Sequence, residues 1–190
     1  MLTLILGGAR SGKSSFAEKI AQKKGGNEVS YVATAEARDE EMKKRIKKHK
    51  NMRNSNWQTI EEPLFLGEVL SSLSPGKVVL VDCITIFITN HIFLNENKNE
   101  KIDYSSKEEK IIEEIEKIIE QSKNKDVILV SNEIGMGVVP SNKLGREFRD
   151  IAGRVNQFLA QEAAEVYLTI AGIPVELKEL RSKIKDEYKG

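Results

Sequence analysis

The sequence predicts a single α/β domain built on a doubly wound, mostly parallel sheet flanked by helices. Three observations carry that prediction. Short, nearly continuous apolar and β-branched runs recur along the chain; segments with helical composition or spacing lie between them; and the first run leads directly into a glycine-rich loop and a helix-like stretch.

The strand-like runs are Leu2–Leu6, Glu28–Thr34, Val78–Val81, Val127–Ser131 and Glu165–Ile170, with a shorter candidate at Trp57–Glu61. Helices are expected over 13–23, 39–53, 63–73, 105–122 and 144–163. The polar tract "NENKNEKIDYSSKEEK", residues 95–110, reads as a surface insertion leading into a helix rather than a domain boundary. The domain is expected over residues 1–178, followed by a charged tail over 179–190, where Leu180 and Ile184 stand four apart and leave a peripheral helix or partial disorder open.

Composition narrows the class of partner. Thirty Lys and Arg residues against twenty-nine Asp and Glu leave a formal charge of +1, so no global field recruits nucleic acid or an anionic membrane. The single cysteine, Cys83, cannot form a disulfide within the chain, which fits a reducing compartment, and a cytoplasmic location is expected. The longest apolar run, Val78 to Thr89, carries Asp82 and is too short for a membrane span, which needs about 20 residues. The apolar start lacks the basic region and cleavage site of a signal peptide.

Gly7-Gly8-Ala9-Arg10-Ser11-Gly12-Lys13-Ser14 satisfies G-x-x-x-x-G-K-[ST] in the strand-to-helix context that the motif requires. Such a loop aims backbone N–H groups at phosphate oxygens, while Lys13 reaches the terminal phosphates and Ser14 is placed to ligate magnesium. The lysine and the hydroxyl serve no turn geometry, which sets the motif apart from a glycine-rich turn that binds nothing. The fold expected is therefore of the P-loop NTPase type. "VVLVDC" places Asp82 at the end of a second buried strand, the usual position of a carboxylate that shares the magnesium ion, although a polar strand end is the plainer reading. "VILVSNEIGMG" brings Asn132 and Glu133 to the same edge, where Glu133 is either a base or metal-shell residue or a local cap.

The segment "RDEEMKKRIKKHKNMR", Arg38 to Arg53, opens with acids and continues with cations, as a helix dipole favours. Met42, Ile46, His49 and Arg53 share one helical face. His49 is either a histidine satisfied at a helix–core boundary or a nucleophile able to hold a nucleotidyl group. Lys43, Lys44, Arg45, Lys47, Lys48 and Lys50 would disfavour the imidazolium and offset charge on a triphosphate. As an RNA contact the segment lacks the interleaved aromatic residues that stack bases.

"GGARSGKS", "YVATAEARDEEMKKRIKKHK", "NWQTIEEP", "LVDCITIFITN" and above all "SNEIGMGVVPSNKLGREFRDIAGRVNQFLAQEAAEVYLTIAGIPVELK" resemble the bifunctional adenosylcobinamide kinase/adenosylcobinamide-phosphate guanylyltransferase family of cobalamin biosynthesis, from residue 1 to about 178. The resemblance implies a P-loop kinase/guanylyltransferase domain, a homotrimer, a corrinoid substrate and two successive reactions. A nucleoside triphosphate, ATP or GTP, phosphorylates adenosylcobinamide. GMP then passes from GTP to that phosphate through a guanylyl-histidine. It further implies Lys13 and His49 as catalytic residues; Gly7, Gly8, Ala9, Arg10, Ser11, Gly12, Lys13, Ser14, Ala33, Thr34, Ala35, Lys50, Asn51, Met52, Arg53, Glu61 and Asp82 around the nucleotide; and Ser14 and Asp82 at Mg²⁺. Family members often carry two adjacent histidines where this chain has Lys48-His49, so only His49 can take the role. Corrinoid contacts at Asn132, Glu133 and the loop "GMGVVP" are also implied.

Rival readings fit less well. A signalling GTPase is matched only by Asp150-Ile151-Ala152-Gly153, which lies inside a helix-like segment, and Asn124-Lys125-Asp126 lacks a residue of the guanine motif. A one-step metabolite kinase would share the loop and Asp82 but leave His49 without a use, and a nucleotide-gated binding module remains a non-enzymatic alternative.

Overall fold

The computed structural model describes residues 1–36, 40, 43, 50, 54–94 and 102–187, with side chains to 184. Most of the expected helix over 39–53, with His49, Asn51, Met52 and Arg53, and residues 95–101 of the expected insertion lie outside the described residues.

Seven strands form one sheet. They are β1 (Leu2–Gly7), β2 (Val29–Ala33), β3 (Gln58–Glu61), β4 (Val78–Asp82), β5 (Asp126–Asn132), β6 (Glu165–Ile170) and β7 (Ile173–Glu176). Their spatial order is β3-β2-β4-β5-β1-β6-β7. Every pairing is parallel except β6 with β7. The helices are α1 (Lys13–Gly25), α2 (Leu66–Ser72), α3 (Ile84–Ile92), α4 (Tyr104–Gln121), α5 (Lys143–Glu162) and α6 (Leu177–Glu187). The sheet class and each expected strand, including the short one at β3, are present.

Because side chains alternate across a strand, the central strands feed two apolar layers. Leu4, Leu6, Val79, Val81, Val127 and Leu129 pack with α2, α3, α4 and α5 on one face. On the other face Ile5, Tyr31, Leu80, Ile128 and Val130 meet Ala17 and Ala21 of α1 and Trp57. Ala17 and Ala21, one turn apart and wholly buried, let α1 lie close to the sheet. Ile111, Glu114, Ile115 and Ile118 repeat at helical spacing on the buried face of α4. Asp103 caps that helix by accepting from the Ser106 N–H at 3.3 Å.

Two elements lie beyond the sequence expectation. α3 continues the apolar run that begins with β4, and neither glycine nor proline separates them. The exposed strand β7 carries Pro174 at the edge of the sheet, where a missing N–H removes no ladder bond from a further strand. The segment from Lys178 is helical through Glu187 as α6.

His91 of α3 is buried, packs edge-on against Phe87 with ring centroids 4.5 Å apart, and its Nε2 lies 3.1 Å from the Leu64 carbonyl oxygen. The carbonyl can only accept, so the neutral ring donates from Nε2. Burial lowers its pKa from the ordinary 6.5, assisted by Lys107 and Lys110 and opposed by the Leu64 hydrogen bond and Glu114. The unfolded chain therefore takes up a proton near pH 6.5 that the folded chain resists. This contribution to stability is complete above that pH and is lost as pH falls below it. Urea unfolding at pH 7 and pH 5 should show a larger loss of stability on acidification for the parent than for His91→Leu; equal losses would contradict a neutral, buried His91.

Candidate active site

Parallel strands all end at the same edge, and the register states which ends are neighbours. Gly7 lies opposite Asn132 and Thr169, Ala33 opposite Glu61 and Asp82, and Asp82 opposite Val130. The carboxyl edge thus gathers Gly7, Ala33, Glu61, Asp82 and Asn132 from five strands, where open α/β sheets receive ligands.

β1 is buried along its whole length and delivers the loop at that edge. A Cβ on Gly7 would fall 2.5 Å from Ser11 Oγ and 2.6 Å from the Thr169 carbonyl oxygen, so the loop can fold back over its strand only with glycine there. Arg10 and Gly12 take positive φ values of 57° and 93°. Gly12 caps α1 without any side-chain bond, which leaves the first N–H groups of the helix facing the loop, as an anion site requires. The side chain of Lys13 is buried, and its Nζ donates to the Gly8 carbonyl oxygen at 3.1 Å, folded back over the loop it follows. Gly8, Ala9 and Arg10 are exposed, Ser11 is buried, and Ser14 is half-buried in the first turn of α1.

Asp82 ends β4 half-buried, and Tyr31 donates its hydroxyl to Asp82 Oδ2 at 3.0 Å. Cys83, the next residue, is sensitive to both ends of the site. Burial, joined by the Asp82 charge and opposed by the Ile86 and Thr85 N–H groups and by Lys13, pushes its thiol up to about 12. The buried thiol is therefore inert. Among the described residues no group of three or more His, Cys, Asp or Glu could hold a metal. A magnesium ion that arrives with a triphosphate needs no such cage, and one carboxylate with one hydroxyl, Asp82 and Ser14, fits that mode of binding.

The neighbouring strand ends are tied together by buried polar side chains. Thr34 accepts from the Cys83 N–H and donates to the Cys83 carbonyl oxygen, both at 2.8 Å, while Asn90 donates to the Thr34 carbonyl oxygen at 2.9 Å. Ala33 is buried before it and Ala35 half-buried after it. Thr85 Oγ1 accepts from the Asn132 N–H at 2.7 Å, and Asn156 donates to the Asn132 carbonyl oxygen at 3.2 Å. The N–H of Glu133 donates to the Gly7 carbonyl oxygen at 3.1 Å, and its carboxylate accepts from the Gly135 N–H at 2.6 Å, capping its own loop. Glu61 is exposed at the end of β3 and paired with Lys50. Beside this pair opens a cleft of about 360 Å³ lined by Lys50, Asn54, Ser55, Trp57, Thr59 and Glu61.

The structure thus brings together the P-loop, Ala33 to Ala35, Asp82, Asn132 and Glu133, with Lys50 and Glu61 at the β3 end. Sequence reasoning missed Tyr31, Thr85, Asn90 and Asn156, which reach the edge from distant segments. Only the apolar pattern around Tyr31 hints at a buried hydroxyl that needs a partner.

Residues 3–177 match the family described as cobinamide kinase / cobinamide phosphate guanyltransferase. The bifunctional adenosylcobalamin biosynthesis protein CobU of Salmonella typhimurium is 44% identical over 183 residues, covering 94% of this chain and 100% of that one. The bifunctional adenosylcobalamin biosynthesis protein CobP of Pseudomonas aeruginosa is 42% identical over 179 residues, covering 94% and 98%. Among solved structures, the flagellar accessory protein FlaH of Methanocaldococcus jannaschii aligns with a TM-score of 0.43 at 16% identity, covering 91% of this chain and 74% of that chain. With a phosphate-binding loop at the carboxyl edge and matches along nearly its whole length, the chain belongs to the cobinamide kinase / cobinamide phosphate guanyltransferase family.

Proposed function

We propose that residues 1–178 of this chain catalyse two successive reactions around one triphosphate site, with residues 179–190 peripheral to both. First, a nucleoside triphosphate phosphorylates the aminopropanol hydroxyl of adenosylcobinamide. GMP is then transferred from GTP to that phosphate, giving adenosylcobinamide-GDP and pyrophosphate. The observation that carries the reading is that the Gly7–Ser14 loop and Asp82 stand at the same carboxyl edge of the sheet in a chain that belongs to this family.

In the kinase step the N–H groups of Gly8 to Ser14 hold the phosphates, and Lys13 exchanges the Gly8 carbonyl for phosphate oxygen as charge develops there. Ser14 and Asp82 would hold Mg²⁺ together with the phosphates, and the ion would supply positive charge against the phosphate oxygens. Tyr31 occupies Oδ2 of Asp82, and Oδ1 would serve the ion. The substrate hydroxyl forms a bond to the γ-phosphorus as the bond to the β–γ bridging oxygen breaks; the nucleoside diphosphate leaves with that oxygen, and the hydroxyl proton passes to water. Ala33, Thr34, Ala35, Lys50, Asn51, Met52, Arg53 and Glu61 would contact the nucleotide.

In the second step a ring nitrogen of neutral His49 forms a bond to the α-phosphorus of GTP, and pyrophosphate leaves with the bridging oxygen. A phosphate oxygen of adenosylcobinamide phosphate then displaces the imidazole, which regains its neutral form. The exposed side chains of Met136, Val138 and Val139, on the loop after Glu133, suit a bulky corrinoid with apolar edges. A homotrimer in the cytoplasm completes the proposal; no helix of the described residues is long and apolar enough to cross a membrane.

Incubation with GTP labelled at the α-phosphate should give an acid-labile protein adduct that is absent from His49→Ala. Absence of label in the parent with magnesium present would favour a single-step kinase. The same variants divide the two activities. Lys13→Ala should reduce both reactions by about 100-fold or more. His49→Ala should abolish guanylyl transfer while phosphorylation of adenosylcobinamide stays measurable. Loss of both activities in folded His49→Ala would refute the division of labour.

A further inference from the structure

The turn between β6 and β7 carries none of the site residues expected from the sequence, yet it sits on the phosphate loop. Ile170 pairs with Ile173 across a two-residue hairpin whose central residues, Ala171 and Gly172, have φ of 51° and 83°. Two successive positive φ values are the pattern of a type I′ turn, the tight hairpin whose twist matches the strands. Alanine is an uncommon choice for the first position, so the left-handed conformation there is imposed by its surroundings.

The Gly172 N–H donates to the Ser11 carbonyl oxygen at 2.8 Å. A Cβ on Gly12 would meet Gly172 Cα at 3.1 Å, so the two backbones are in close contact. Ser11 Oγ and Thr169 Oγ1, both buried at this junction, have no hydrogen-bond partner among the described residues. Backbone contacts therefore hold the hairpin to the loop.

The Ser11 carbonyl and the Gly12 N–H belong to one peptide plane and, in a trans peptide, point in opposite directions. Fixing the carbonyl toward the hairpin fixes the Gly12 N–H away from it. The plane turns about ψ of Ser11 and φ of Gly12, and Gly12, at φ 93° and without a Cβ, is where it could otherwise rotate. We propose that the Ala171–Gly172 turn is a positioning element of the triphosphate site, which holds the Ser11–Gly12 peptide in the orientation that binds phosphate. This rests on the triphosphate reading of the loop given above.

Valine is barred from φ near 83° at residue 172, so Gly172→Val must rearrange the turn and withdraw its N–H, whereas Gly172→Asn tolerates that conformation. Calorimetric titration of the full chain with GTP and Mg²⁺, beside thermal unfolding without nucleotide, separates positioning from stability. We expect Gly172→Val to bind GTP roughly tenfold or more weakly than the parent, with Gly172→Asn restoring affinity to within about twofold. If Gly172→Val does not fold, Gly172→Ala replaces it, since a Cβ there meets nothing within 4 Å and only strains the backbone. A folded Val or Ala variant with parental affinity and merely a lower melting temperature overturns the inference, as does an Asn variant as weak as the Val variant. A parent that binds no GTP overturns the triphosphate reading itself, and this inference with it.

Discussion

The site depends on the position of β1 between β5 and β6, hydrogen-bonded in parallel on both sides and buried along its length. A strand held on both edges cannot slide without breaking two ladders, and a shift of one residue would exchange its buried faces. The place where β1 stops is therefore set by the core, not by the loop that follows. Gly7 ends it against the Thr169 carbonyl on one side and opposite Asn132 on the other. The phosphate loop inherits that fixed origin, and α1 carries its other end on Ala17 and Ala21, both wholly buried against the sheet.

A parallel sheet leaves unpaired backbone groups at its carboxyl edge, and groups buried there need partners. Here side chains from the following segments supply them. Thr34 satisfies both the N–H and the carbonyl of Cys83, Thr85 accepts from Asn132, and Asn90 donates to Thr34 and to the Pro63 carbonyl at 3.2 Å. These bonds join β2 to β4, and α3 to β5 and to the end of β2. They make the edge a connected surface rather than a row of independent loops, so Asp82 and the phosphate loop keep their relative positions. Tyr31 extends the same arrangement to the Asp82 carboxylate, reaching it from the neighbouring strand.

Strands β1, β2, β4, β5 and β6 were legible because each is a short apolar run, and the phosphate loop because its lysine and hydroxyl have no role in a turn. α3 was not, because Val78 to Ile92 offers no breaker and a buried helix shares its apolar composition with a buried strand. β7 was hidden for the opposite reason, as Ile173, Pro174 and Val175 are exposed and too few to show a period. Asp82 and Glu61 could be placed at strand ends by counting. The contacts of Tyr31, Thr85, Asn156 and Gly172 could not, since each joins segments far apart in sequence and arises only when the sheet assembles in its own order. Glu133 illustrates the limit: the residue was placed correctly at the edge, yet its carboxylate turns to the Gly135 N–H of its own loop.

That loop also explains how one edge could serve partners of unlike chemistry. β5 passes from a buried apolar strand to Asn132 and Glu133 and then to Met136, Val138 and Val139, which are 77%, 95% and 60% exposed. Apolar groups left so open beside a polar site are unfavourable in water unless something covers them. The bond from the Glu133 N–H to the Gly7 carbonyl ties the start of this segment to the first residue of the phosphate loop. Adjacent strands lie about 4.8 Å apart. A large substrate resting on the apolar segment would therefore have its reactive end close to the phosphates, without needing contacts to the phosphate loop itself. Under the proposed function the phosphate loop serves charge and the open apolar segment serves bulk, and the register of β1 with β5 sets the two side by side.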